Sequence, residues 1–251
     1  MHELERRTMK IFTGTSGFGY KEWKGNFYPE KIPAAKMLPY YSSRLETVEI
    51  NNTFYRMPTA TVVSSWAEEV PAGFLFAIKA PQIITHIKRL HSVGEETRFF
   101  LGSISVLEAK LGCVLFQFPA GFHADLKLLE AFLDHIPPKV PCAFDFRSAS
   151  WFNSTTFDLL SKRKFCLGME DTDEKPIQEI VSTAPWGYFR MRRADYTDSA
   201  LKEWAQKLQT QQWDKAFVFF KHEDDEAARG PQLAMRFREL TEGGAELPAS
   251  F

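Results

Sequence analysis

Thr47-Val48-Glu49-Ile50-Asn51 is the stretch whose reading decides the fold. It alternates strictly, so an extended chain puts Glu49 and Asn51 on one face and Val48 and Ile50 on the other. Ala143-Phe144-Asp145-Phe146-Arg147 repeats the pattern, with Asp145 and Arg147 sharing a face. Phe189 and Met191 likewise alternate with Arg190 and Arg192. At this period, working outward, the chain offers eight strands: Lys10–Thr15, Thr47–Asn51, Phe74–Lys79, Gly112–Phe118, Pro141–Arg147, Phe165–Glu170, Gly187–Arg192 and Lys215–Lys221.

Helical spacing of apolar residues fills most of the gaps, at Leu38–Leu45, Thr59–Glu69, Glu96–Ala109, Leu126–His135, Thr155–Leu160, Ser199–Gln209 and Pro231–Leu240. Alternating strands and helices over 251 residues predict an α/β protein, a single (β/α)8 barrel of TIM type. An open doubly wound sheet is the alternative. No linker or repeat divides residues 1–251, which read as one barrel domain with a loosely ordered tail at 243–251.

Composition narrows the function classes. An apolar content of 44% with 23 Phe excludes wholesale disorder. Thirty-one basic against 32 acidic residues, net −1, argues against a nucleic-acid or other polyanion surface and leaves room for a local basic pocket. The longest uncharged run, Leu111–Ala124, is broken by Gln117 and Pro119 and is too short to span a bilayer. The N-terminal MHELERRTMK has no apolar signal core. Cys113, Cys142 and Cys166 sit in apolar runs without a C-x-x-C spacing, which fits small buried thiols in a reducing compartment. The expectation is therefore a cytoplasmic protein without a membrane partner; the sequence sets no oligomeric state.

In a parallel barrel, inward polar residues late in the strands gather at the C-terminal mouth, where barrel enzymes keep their sites. The expected acid–base pair is Glu49 and Asp145, on strands two and five. Paired carboxylates are the equipment of hydrolytic and isomerising chemistry. Burial is expected to raise the pKa of Glu49, and Arg147 to lower that of Asp145. The substrate-binding candidates are Asn51, Tyr55, Lys79, His86, Gln117, Arg147, Trp151, Asp171, Arg190 and Lys221. The aromatics would stack on a ring, and the cations would hold a small anionic ligand such as a sugar phosphate or nucleotide fragment. His86, His222 and the carboxylates lack the spacing of a metal motif, and neither metal nor cofactor is expected. Gly14-Thr15-Ser16-Gly17 lacks the third glycine of a dinucleotide loop and reads as a plain turn. The second function class is a non-catalytic module that binds a small ligand, a protein or an RNA end.

Several motifs resemble those of the DUF72, or YecE-like, family. They are Thr13–Tyr20 with Trp23-Lys24-Gly25, Phe27-Tyr28-Pro29, Thr47–Tyr55, Pro81–His86, Leu115–Pro119, Phe146-Arg147 with Ser150-Trp151, and Phe219–Asp224. They run from Thr13 to about Phe237. Asp145 departs from that pattern, which more often carries Glu before Phe-Arg. The resemblance implies a TIM-type barrel of unknown function and carries no chemistry.

Overall fold

The computed structural model describes residues 9–221 and 227–242. Eight parallel strands close on themselves in sequence order: β1 (Lys10–Ser16), β2 (Thr47–Ile50), β3 (Leu75–Lys79), β4 (Leu111–Phe118), β5 (Cys142–Phe146), β6 (Cys166–Asp171), β7 (Trp186–Met191) and β8 (Lys215–Phe220). Closure comes from β1 and β8, which pair from Lys10 with Lys215 to Thr15 with Phe220. Every expected strand is present within one or two residues of its expected bounds, and the barrel is closed rather than open. The helices are α1 (Met37–Ser42), α2 (Asn52–Tyr55), α3 (Ala60–Glu68), α4 (Gly94–Ile104), α5 (Leu126–Leu133), α6 (Ser154–Lys162), α7 (Asp198–Gln209) and α8 (Arg229–Thr241). Thr59, Asp125, Asn153 and Thr197 each accept a backbone N–H at a helix start, the side-chain oxygens that stop the preceding loop from extending the helix backward.

Two layers of packing follow from strand alternation. Outward residues join the helices in the larger core, which includes Val48, Ile50, Phe116, Phe144, Phe146, Phe189 and Val218. Inward residues form a separate cluster of Phe12, Ala77, Cys113, Leu115, Ala143, Cys166, Tyr188, Phe217 and Phe219. Gly14 shares the parity of Phe12, and any side chain there would strike the Thr47 carbonyl, with a Cβ only 2.0 Å from its oxygen. All three cysteines are free and buried, and burial pushes their thiol pKa values up.

The connection after β6 departs from a regular repeat. Residues 172–185 carry no helix, and Pro176 and Pro185 interrupt the stretch. The barrel therefore has a helix-free side, and this irregular segment runs over the C-terminal face. The expected tail 243–251 and His222 lie outside the described residues. Among the described residues no helix is long and apolar enough to cross a membrane.

Trp151 is corrected from a ligand-stacking residue to a core residue. It is fully buried, its ring stacks 4.5 Å from Phe146 and 5.3 Å from Phe122, and its Nε1–H donates to the Phe122 carbonyl at 2.7 Å. Trp23 and Tyr28, also inside, pack against each other and Phe27. Trp151→Ala is expected to destabilise the fold by about 3–5 kcal/mol, the range for emptying a buried aromatic site, as measured by urea denaturation. A loss below about 1 kcal/mol would contradict this packing role.

Candidate functional site

The mouth is organised by Arg190, which enters from the inward face of β7 and is 2% exposed. A guanidinium at that depth is stable only if its charge and donors are met. Its Nη2 donates to Glu49 Oε1 at 3.0 Å, and its Nε lies 3.0 Å from Glu49 Oε2, a two-point contact with one carboxylate. Its Nη1 faces two more carboxylates, Glu170 at 3.3 Å and Asp145 at 3.6 Å. One buried cation thus ties together β2, β5, β6 and β7.

Glu49 is saturated. Besides Arg190 it accepts from Ser16 Oγ at 2.7 Å, from Asn51 Nδ2 at 3.0 Å and from the Tyr188 hydroxyl. Burial acts to raise its pKa, but Arg190, Tyr188 and Ser16 outweigh burial and hold the carboxyl down to about 2. Asp145 goes the other way. Burial and the neighbouring charge of Glu170 raise it, against the pull of Arg190 and a 2.6 Å bond from Gln117 Nε2. Glu170 is lowered, because Arg190 together with Arg192 and Arg147 outweighs its own desolvation. The expected order of Glu49 and Asp145 is therefore reversed. The reason is the pairing: Arg190 meets both oxygens of Glu49 at 3.0 Å but lies 3.6 Å from Asp145, which also faces Glu170, while Arg147, which acts to lower Asp145, makes its ion pair with Glu170 at 3.9 Å.

Above Asp145 a cleft of about 800 Å³ opens over β5, β6 and β7. Asp145, Arg147, Glu170 and Arg192 line it, and residues 172–179 of the helix-free connection wall it. Gly168 also lines it; a methyl there would approach the Asp145 Cβ to 3.3 Å. Asp171 holds the wall in place instead of facing a ligand, which corrects its assignment to substrate binding. Alternation on β6 turns Glu170 inward and Asp171 outward, where Asp171 is fully buried. There it accepts from Ile177 N at 3.0 Å, Tyr196 OH at 2.9 Å and Arg193 Nη2 at 2.9 Å.

The β2–β3 side of the mouth is built on Phe54. The Lys79 ammonium lies 4.3 Å from the centre of its ring, and the His86 imidazole meets it edge-on at 4.8 Å. Tyr55 was the expected ligand contact here, but it stands 76% exposed on the rim. Residues 52–55 form the short helix α2, and its turn brings Phe54 inward. His86 is carried by a π-turn, Ile83–Ile87, followed by left-handed backbone at Arg89, Leu90 and Ser92. Such irregular backbone is costly for non-glycine residues and is concentrated at functional sites. Its ring Nδ1 shares a 2.8 Å hydrogen bond with the buried Thr85 hydroxyl. Burial and the charges of Lys79, Arg147 and Arg89 push the imidazole down to about 4, so it is neutral at pH 7. Lys79 is pushed down to about 8 by burial and Arg190, partly offset by Glu49 and Asp145, with Arg147 adding to the depression.

The structure thus joins Glu49, Asn51, Gln117, Asp145, Arg147 and Arg190 in one polar network. Lys79 and His86 stand beside it, and Lys221 continues the inward parity of Phe217 and Phe219. Trp151 and Asp171 are outside it. Ser16 and Tyr188 belong to the network and were missed. Tyr188 was legible, since it shares parity with Arg190; Ser16 was hidden in a stretch read as a turn that is the last residue of β1. Among the described residues no three His, Cys, Asp or Glu side chains gather as a metal site.

Barrel and mouth together define a (β/α)8 protein of TIM type with a charged network at the C-terminal end of its strands. The chain belongs to the DUF72 family, whose model, described as a protein of unknown function, matches residues 12–250. It is 32% identical over 157 residues to the UPF0759 protein YunF of Bacillus subtilis, covering 59% of this chain and 54% of YunF. It is 31% identical over 116 residues to the UPF0759 protein YecE of Escherichia coli K12, covering 46% of this chain and 43% of YecE. The chain thus spans about half the length of the curated relatives it matches. A crystal structure of a DUF72 family protein from Thermotoga maritima superposes with a TM-score of 0.75 at 24% identity, covering 93% of this chain and 100% of that one. One from Enterococcus faecalis superposes with a TM-score of 0.73 at 20% identity, covering 94% and 99%. These two likenesses concern the fold.

Glu49 generates an acid limb in the stability profile. Its folded pKa, about 2, lies below the ordinary 4.5, so it contributes stability that is full above about 4.5 and is lost as pH falls toward 2. The contribution is on the order of 3 kcal/mol. Glu49→Gln should therefore narrow the difference in unfolding free energy between pH 6 and pH 3, followed by denaturant titration at each pH. An unchanged difference would contradict the ion-pair account.

Proposed function

We propose that the mouth binds a small anion-bearing substrate and that Asp145 transfers a proton during an isomerase- or hydrolase-type reaction. The observation that carries this reading is the split of the carboxylates around Arg190. Glu49 and Glu170 are held ionised, while Asp145, at the floor of the cleft, is held toward its protonated form. Groups of one chemical type pushed apart by their environments are what acid–base catalysis uses. An ordinary aspartate is almost entirely ionised at neutral pH and would be a poor proton donor.

The anion preference rests on the cations that the carboxylates leave in surplus. Arg190 is consumed by its partners. Arg147 is 43% exposed in its side chain and, among the described residues, its one ion pair is the long Glu170 contact, so its fork is open to a phosphate or carboxylate at the cleft edge. Lys79 has no carboxylate within ion-pair distance among the described residues and adds positive potential from the opposite side. A guanidinium fork at one end and a carboxyl whose pKa is raised by burial and Glu170 at the other suit a short substrate whose anionic group lies a few bonds from the reacting centre.

The test pairs phosphorylated and unphosphorylated sugars and nucleotides in a thermal-shift screen, followed by turnover assays. A ligand at 100 times its Kd is expected to stabilise the fold by about 2.7 kcal/mol. Arg147→Ala should remove that shift. Asp145→Asn should keep the shift and lower turnover by about 10²–10⁴-fold, the usual contribution of a positioned acid or base. Phosphorylated ligands that bind no better than their unphosphorylated forms would refute the anion preference. Full turnover by Asp145→Asn would remove Asp145 from the chemistry.

A further inference from the structure

We propose that the Lys79 amine is a covalent nucleophile, and that the mouth takes a small aldehyde or keto acid that Lys79 holds as a Schiff base. The inference deepens the anion-binding reading, on which it rests, by naming the electrophile. Lys79 ends β3 with the inward parity of Leu75 and Ala77, so the strand aims it into the mouth. The residue is partly buried, and among the described residues neither an ion pair nor a hydrogen bond engages its nitrogen. What it does contact is the face of Phe54, 4.3 Å from the ring centre.

A structural lysine at a barrel mouth would be paired with one of the carboxylates. Here Arg190 takes both oxygens of Glu49 and also faces Asp145 and Glu170, and among the described residues the amine rests on its aromatic platform. The titratable groups acting on it are Arg190 from β7, Arg147 after β5, Glu49 from β2 and Asp145 from β5; His86, on its own side, is neutral. Desolvation and neighbouring cations are the means by which proteins turn a lysine into a nucleophile. With the amine pushed down to about 8, a sizeable fraction carries a free electron pair at neutral pH.

The step balances without an external oxidant or reductant. The free amine attacks the carbonyl carbon, a C–N bond forms, and the C=O π pair moves to oxygen, which takes the proton that the attacking nitrogen loses. Asp145 in its acid form protonates the resulting hydroxyl, which leaves as water while the nitrogen lone pair closes the C=N bond. The proton that the Lys79 ammonium shed in becoming the free amine restores Asp145. In sum, a carbonyl and a lysine ammonium become an iminium and water. The iminium retains the charge that Lys79 brought, so the electrostatics of the mouth persist across the step. Arg147 would hold the carboxylate or phosphate of the same substrate.

The experiment is reductive trapping of the full chain with cyanoborohydride and three probes: glyoxylate, pyruvate and acetaldehyde. Intact mass and peptide mapping read the site. The expected result is one dominant adduct on Lys79, at least tenfold above any other lysine, with an extent that rises with pH around a midpoint near 8. Glyoxylate should trap faster than acetaldehyde. Lys79→Arg, which keeps the charge, should lose the adduct. Phe54→Ala, which opens the amine to water, should move the midpoint toward that of an ordinary lysine. Labelling spread over exposed lysines such as Lys202, or an equal yield in Lys79→Arg, would overturn the proposal. If trapping fails while phosphorylated ligands still shift the melting temperature, the nucleophile is refuted and the anion site stands. If trapping succeeds with glyoxylate no faster than acetaldehyde, and phosphorylated ligands give no shift, the anion reading falls and the nucleophile stands.

Discussion

The desolvated charge of Arg190 is the constraint on which the rest of the mouth depends. A guanidinium 2% exposed within a barrel demands negative partners, and the strands around it supply three. Meeting that demand holds Glu49 as an anion down to low pH, with Ser16, Asn51 and Tyr188 filling its remaining lone pairs. It also decides what is left over. Asp145 receives only a distant share of the guanidinium and lies in the field of Glu170, so its proton is retained more readily. Among the described residues Lys79 is left without a carboxylate partner, and Arg147 keeps the long contact to Glu170. Structural ion pairing and chemical reactivity in this mouth are therefore two outcomes of one distribution of charge.

The scaffold explains why the site opens where it does. Seven strands lead into helices that cover the outer face, while the stretch after β6 stays irregular and passes over the mouth. Asp171 anchors that stretch from the outward face of β6 through Ile177 and draws in Arg193 and Tyr196 from the β7–α7 connection. A full helix there would pack down the side of the barrel; the tethered loop raises a wall beside Asp145 and Arg147. The inner residues beneath, Ala77, Ala143, Leu115, Cys113 and Cys166, are apolar and fill the lumen. The polar layer thus lies at the C-terminal ends of the strands, and the cleft over Asp145 opens it to solvent.

The aromatic residues divide by the same geometry. Trp151, Trp23 and Tyr28 lie in loops near the mouth but are buried in the packing that ties those loops to the barrel. Phe54 is exceptional because α2 rotates it toward Lys79 and His86. Its role is electrostatic as much as apolar: the ring face accepts a cation while denying it water.

By itself the sequence determined the strands and the inward parity of Glu49, Lys79, Gln117, Asp145, Arg147 and Arg190, and it favoured a closed barrel over an open doubly wound sheet, which the pairing of β1 with β8 then decided. Side-chain alternation in a strand is a local property with a period of two, and each of these residues sits in a Phe-, Val- or Ile-rich run that admits one reading. Tertiary structure alone decided which carboxylate meets which cation. That depends on strand stagger and on depth in the lumen, which bring Glu49 and Arg190 together across well over a hundred residues of chain. The same long-range packing buried Trp151, turned Asp171 away from the mouth and set Phe54 rather than Tyr55 beside Lys79. The pKa order of Glu49 and Asp145 followed from those contacts, because the charge adjacent in sequence, Arg147, is not the charge adjacent in space.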